Sequence, residues 1–156
     1  MASLARLSGT PFVSDALLAL RARMLRDPER TALVESGGRH RTYAELIRQA
    51  DEFAAKLGVE RRLVFLEAGN EPSAIAAYLG CILAGHPVYL FSKQDGAVLD
   101  ALAARYRPDV VVRPAAADPL AWQDAPRRAI HPELALLLST SGSTGSPKLR
   151  KGPIFS

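Results

Sequence analysis

Residues 63–91, LVFLEAGNEPSAIAAYLGCILAGHPVYLF, read as strand, helix and strand in succession. LVFLEA (63–68) is a continuous apolar run of strand length, which suits a strand buried on both faces. From Asn70 the period changes. Ile75, Tyr78, Leu79 and Ile82 form one apolar stripe at helical spacing, and Gly85 with Pro87 stops the helix. PVYLF (87–91) then returns to a short apolar run, the next strand. Two apolar strands joined through a helix point to parallel pairing, because a tight hairpin joins only antiparallel strands.

The same alternation extends outward. Downstream, GAVLDALAARYR (96–107) reads as a helix, DVVV (109–112) as a strand after Pro108, and LALLLST (134–140) as the most apolar strand of all. The intervening stretch 114–132 keeps neither period and is broken by four prolines, so it reads as a loop with one helical turn at most. Upstream, 15–26 reads as a helix and TALVE (31–35) as a strand that SGGRHR folds back into a hairpin. Thr42 and Glu45 have capping-box spacing at the head of a helix whose apolar face runs from Tyr43 to Leu57 and ends at Gly58. The fold class expected is α/β: a mostly parallel sheet with helices on both faces, in one domain.

Composition narrows the functional classes. With 48% hydrophobic and 23% charged residues, the 156-residue chain is expected to fold around a core. No apolar run nears the roughly 20 residues that span a bilayer. The N-terminus lacks a cationic start followed by a continuous apolar block, so no secretory leader is expected and a cytoplasmic location is. One cysteine, Cys81, permits no internal disulfide; set in an apolar helical pattern, it reads as a core residue and not a nucleophile. The net charge of +4 comes from scattered arginines not interleaved with aromatics, which argues against nucleic acid and leaves a small anionic ligand open.

Chemistry concentrates in Ser139–Lys148, STSGSTGSPK, directly behind the last strand. Gly142 and Gly145 allow close backbone approach, so several N–H groups can point at one anion. The hydroxyls of Thr140, Ser141, Ser143 and Thr144 add donors, and Lys148 adds a cation. Together these suit a polyphosphate. The Walker A pattern fails, since Pro147 and not a glycine stands directly before Lys148, and Leu149 stands where a magnesium-binding hydroxyl belongs. A flexible surface loop of the same composition is the plain competing reading.

The order of those residues resembles the phosphate-binding loop of the adenylate-forming (AMP-forming) superfamily of acyl-CoA synthetases and related ligases, roughly [ST]-S-G-[ST]-[ST]-G-x-P-K. Thr140, Ser141, Gly142, Ser143, Thr144, Gly145, Pro147 and Lys148 all match. RTYAEL (41–46) resembles the segment opening that family's first long helix, and AYLGCILAGHPVYLF (77–91) its following helix–strand segment, with the proline displaced. The resemblance runs from about position 12 to about 150. It implies an N-terminal α/β subdomain over 1–150 and a reaction in two steps. A carboxylate attacks the α-phosphate of ATP, giving acyl-adenylate and pyrophosphate, and a thiol of CoA or carrier-protein pantetheine then takes the acyl group. It also implies Mg²⁺ with the ATP, a small-molecule carboxylic acid as substrate, and Thr140, Ser141, Gly142, Ser143, Thr144, Gly145 and Lys148 as the ATP-phosphate residues.

Residues 151–156, KGPIFS, depart from the family pattern; a frameshifted, engineered or truncated end all stay open. The adenine platform, ribose acid, acidic magnesium ligand and catalytic lysine that the resemblance implies find no place in these 156 residues, so no catalytic residue and no metal ligand is assigned. A non-catalytic binding or dimerisation module of the same fold is the alternative. The remaining polar candidates have structural readings. His40, His86 and His131 read as turn or surface histidines, Trp122 as a packing anchor, Arg61–Arg62 as a solvated turn, Glu45 as a helix cap and Asp100 as a surface acid.

Overall fold

The computed structural model describes residues 15–93, 96–124, 129–139 and 149–152, with backbone alone at 97, 138–139 and 149–152. In chain order the elements are α1 (Asp15–Met24), β1 (Thr31–Val34), β2 (His40–Thr42), α2 (Tyr43–Leu57), β3 (Val64–Glu67), α3 (Pro72–Leu83), β4 (Val88–Phe91), α4 (Gly96–Tyr106), β5 (Val110–Val112), β6 (Leu120–Trp122), β7 (Leu136–Ser139) and β8 (Leu149–Gly152).

β1 and β2 form the expected hairpin, a small antiparallel sheet of their own. The main sheet has the order β6-β5-β3-β4-β7-β8. Its four inner strands pair in parallel, and β6 and β8 add antiparallel edges. The α/β expectation therefore holds. Both edge strands come from stretches that local pattern left unassigned. β6 lies within the proline-broken 114–132, and β8 includes Lys151 and Gly152 of the atypical tail.

Alternation along the inner strands sends side chains to two cores, as period two requires. Val64, Leu66, Val88, Val110 and Val112 pack with Leu57, Ala77 and Cys81 beneath α2 and α3. Phe65, Tyr89, Phe91, Val111 and Leu137 pack with Leu99 and Leu102 of α4 on the other face. Burial of both faces explains why β3 and β4 read as continuous apolar runs. A smaller cluster of Leu17, Ile47 and Leu83 seats α1, which Arg21 pins with a bidentate pair to Asp51 of α2 at 2.6 and 2.7 Å.

Helix α2 begins as its sequence dictates. Thr42 Oγ1 accepts from Glu45 N–H, and Glu45 Oε2 accepts from Thr42 N–H, completing the capping box. Helix α3 differs in two respects. It starts at Pro72, with Glu71 as its cap, and not at Asn70. Its deepest face is also small: Ala74, Ala76, Ala77, Gly80 and Cys81 are buried, whereas Ile75, Tyr78, Leu79 and Ile82 are half-buried around it. The small face lets α2 and α3 approach closely. A β-carbon at Gly80 would sit 2.5 Å from the Ala50 carbonyl oxygen.

Arg61 and Arg62 are not a solvated turn. Arg61 donates from Nε to Gly85 O at 2.9 Å and from its other nitrogens to the carbonyls of His131 and Leu134. Arg62 donates from Nε to Leu57 O at 2.8 Å, and its guanidinium lies 5.0 Å from the Trp122 ring centroid. Trp122, 48% exposed, is a surface partner of that cation and not a packing anchor. His86 departs from expectation as well: it is buried, and its Nδ1 accepts from Arg62 N–H at 3.2 Å.

Candidate functional site

The parallel strands β5, β3, β4 and β7 end together at Val112, Glu67, Phe91 and Ser139, making one carboxyl edge. The chain leaves β3 for α3 on one face and leaves β4 for α4 on the other. The edge between β3 and β4 is thus a switch point, the place where open α/β sheets form a crevice. One strand further along, β7 delivers the chain to the same edge.

Residues 140–148 leave β7 there and return as β8, whose Leu149 pairs with Ser139 and Gly152 with Leu136. The predicted phosphate residues Thr140, Ser141, Gly142, Ser143, Thr144, Gly145 and Lys148 lie outside the described residues. Their two anchors are described: a parallel strand inside the sheet and an antiparallel edge strand beside it. That hairpin fixes where the segment starts and finishes, at the carboxyl edge.

At the switch point stands an acid that the sequence reading absorbed into an apolar run. Glu67, the last residue of β3, is 8% exposed. Its carboxylate lies 3.8 Å from Lys93 Nζ and 3.8 Å from Arg113 Nε, cations that follow β4 and β5. Arg113 in turn lies 5.8 Å from the Phe91 ring centroid. A cleft of about 80 Å³ opens here among Glu67, Gly69, Glu71, Ser73, Lys93 and Pro114. Glu67, Glu71 and Lys93 are its charged lining, and Arg113 reaches Glu67 from beside it. The signal in the sequence was a lone charge inside a strand-length apolar run, since an unpaired carboxylate there is too costly to bury.

The other candidates stay apart from this edge or are structural. Burial raises the Cys81 thiol well above its usual range, which makes it an inert core residue. Burial, then the Arg62 guanidinium, lower His86 from 6.5 to about 4, while the Gly58 backbone opposes the shift. His40 and His131 are exposed and engage Thr31 Oγ1 and Glu133 N–H at 3.3 Å. Asp100 is exposed and Glu45 caps α2, as read. Among the described residues, no group of three or more His, Cys, Asp or Glu could hold a metal ion, and no helix is long and apolar enough to cross a membrane.

No family model and no curated sequence matches the chain. Solved structures do. MatB from Rhodopseudomonas palustris superposes with a TM-score of 0.64 at 23% identity, over 86% of this chain and 34% of that one. The fatty acyl-adenylate ligase from L. pneumophila, in complex with acyl adenylate and pyrophosphate, gives 0.66 at 21%, over 94% and 31%. The O-succinylbenzoate coenzyme A synthetase MenE from Bacillus subtilis, in complex with AMP, gives 0.62 at 20%, over 88% and 42%. The chain has the fold of the N-terminal part of AMP-forming ligases. It spans between 31% and 42% of the length of these three enzymes. At such identities the likeness speaks for the shared ligase fold, and the chemistry rests on this chain's own residues.

Proposed function

We propose that this chain is the phosphate-binding N-terminal part of an ATP-dependent, AMP-forming carboxylate ligase. The observation that carries the reading is the coincidence of sequence and topology. STSGSTGSPK is the segment that leaves β7, and β7 ends at the carboxyl edge of the parallel sheet. In this reading Gly142 and Gly145 shape the loop, and Thr140, Ser141, Ser143 and Thr144 donate to the β- and γ-phosphates of ATP. Lys148 adds positive charge. Neutralising those oxygens reduces repulsion toward an incoming carboxylate and steadies the departing pyrophosphate. The carboxylate is ionised at neutral pH and requires no general base.

Magnesium would arrive with the ATP phosphates, and no residue is assigned to it. The first step joins a carboxylate oxygen to the α-phosphorus and breaks the bond to the pyrophosphate oxygen. In the second step a thiol of CoA or pantetheine would take the acyl group, giving up its proton and forming a thioester as AMP leaves. The proposal gives residues 1–150 a binding role and leaves turnover to a longer protein, with residues 151–156 outside the catalytic pattern.

Mg-ATP titration of the chain tests this. Preference for ATP over other polyanions, lost in Lys148→Ala, is expected, together with no ATP–pyrophosphate exchange by the chain alone. Equal binding of unrelated polyanions would defeat the ATP assignment, and measurable exchange would defeat the division of labour.

A further inference from the structure

We infer that the chain carries a second anion site, sharing no lining residue with the β3–β4 cleft, for a phosphate monoester with a small apolar group. The turn between α1 and β1 gathers Arg23, Arg26 and Arg30 around a pocket of about 340 Å³, completed by Leu20, Met24, Asp27 and Tyr43. Three arginines and one aspartate, all exposed, are its charged lining. The ion pairs among the described residues engage Arg21, Arg39, Arg41, Arg48, Arg62, Lys93 and Arg113, and none of these three. The β3–β4 cleft, lined by Glu67, Glu71 and Lys93, has the opposite excess of charge, and that contrast marks this pocket. Guanidinium forks match phosphate oxygens in pairs, so several of them around one cavity suit a dianion.

The apolar part of the ligand follows from the remaining wall. Leu20 is 41% exposed although it sits on a helix whose neighbour Leu17 is buried. It lines the pocket with Met24 and with Tyr43, the first residue of α2. The backbone N–H groups of Tyr43 and Ala44 are already bound to the carbonyls of Arg30 and Pro28. Recognition of the phosphate therefore falls to the arginine side chains, and Leu20, Met24 and Tyr43 would cover the attached group.

Titration of the ¹⁵N-labelled chain with phenyl phosphate, followed by amide shifts, is the test, with inorganic phosphate and phenol as partial probes. Saturable shifts at residues 20–30 and 43 are expected, unchanged in Lys148→Ala. Binding should weaken by about tenfold or more in Arg23→Gln/Arg30→Gln, the scale of losing charge-assisted contacts. Phenyl phosphate should also bind several-fold tighter than either partial probe. Unsaturable shifts, shifts confined to residues 139–149, an unchanged affinity in the double variant, or equal affinity for inorganic phosphate each overturn the proposal.

Discussion

His86 shows how much a single buried group decides. It lies between the end of α3 and the start of β4, accepts from Arg62 N–H, and is held near pKa 4 chiefly by burial and secondarily by the Arg62 charge. Between pH 6.5 and 4 the unfolded chain takes up a proton that the folded chain refuses. The unfolded state then binds more protons, so stability is complete above pH 6.5 and falls as pH drops toward 4. The shift amounts to about 3 kcal/mol over that window. Urea unfolding at pH 7.5 and 4.5 measures it. His86→Leu should lose about 1–2 kcal/mol at pH 7.5, because Arg62 N–H is left unpaired, yet show a flatter pH dependence. Equal pH slopes in the two proteins would remove His86 as the cause. Arg21 makes the same point for a charge: with Asp51→Ala it becomes a buried cation without its partner, at a cost of about 3 kcal/mol in unfolding free energy measured with urea. Arg21→Met/Asp51→Ala should recover much of that loss.

At the scale of elements, backbone approach between α2 and α3 explains a glycine that periodicity treats as neutral. Alanine at Gly80 would bring a methyl within 2.5 Å of the Ala50 carbonyl, a backbone atom that moves only if the helices separate. Helix propensity favours alanine over glycine by up to about 1 kcal/mol, and overpacking costs about 1–3 kcal/mol, so Gly80→Ala should be destabilising on balance. Gly96→Ala is the matched control. A β-carbon added there would meet nothing within 4 Å, so the change should be neutral or stabilising at the head of α4. Thermal unfolding of both variants settles the comparison. What the sequence could reveal at this scale was whatever is local. The capping box at Thr42–Glu45, the hairpin after Val34 and the apolar inner strands all depend on neighbours in sequence. β6 and β8 were illegible for the opposite reason, since each exists by pairing with a strand whose own pattern lies elsewhere. The small face of α3 was hidden because large residues dominate a periodic stripe, whereas close helix contact selects small ones.

Across the whole molecule, Arg61 joins the amino ends of three parallel strands, and its role was unreadable because it reaches main-chain carbonyls far away in sequence. It stands before β3, holds Gly85 ahead of β4, and reaches the carbonyls of His131 and Leu134 ahead of β7. β7 is the strand that leads into residues 140–148, the segment proposed to bind phosphate, and Arg61 ties down the chain just ahead of that strand at the opposite end of the sheet. The carboxyl edge itself was legible from alternation and from STSGSTGSPK, but Glu67 with Lys93 and Arg113 required three strand ends to be brought side by side. Arg61→Ala removes one charged donor from several carbonyls, and a loss of about 2–3 kcal/mol follows if those acceptors stay dry. Arg61→Lys cannot restore it, because an ammonium lacks the planar fork that reaches separate acceptors at once. Hydrogen exchange separates a global loss from a local one. Faster exchange at Leu136 and Leu137 than at Val64 and Phe65 is expected in both variants, along with weaker Mg-ATP binding than in the parent chain. Uniform acceleration across β3 and β7 would instead make Arg61 a general stabiliser, with no particular hold on the strand that carries the loop.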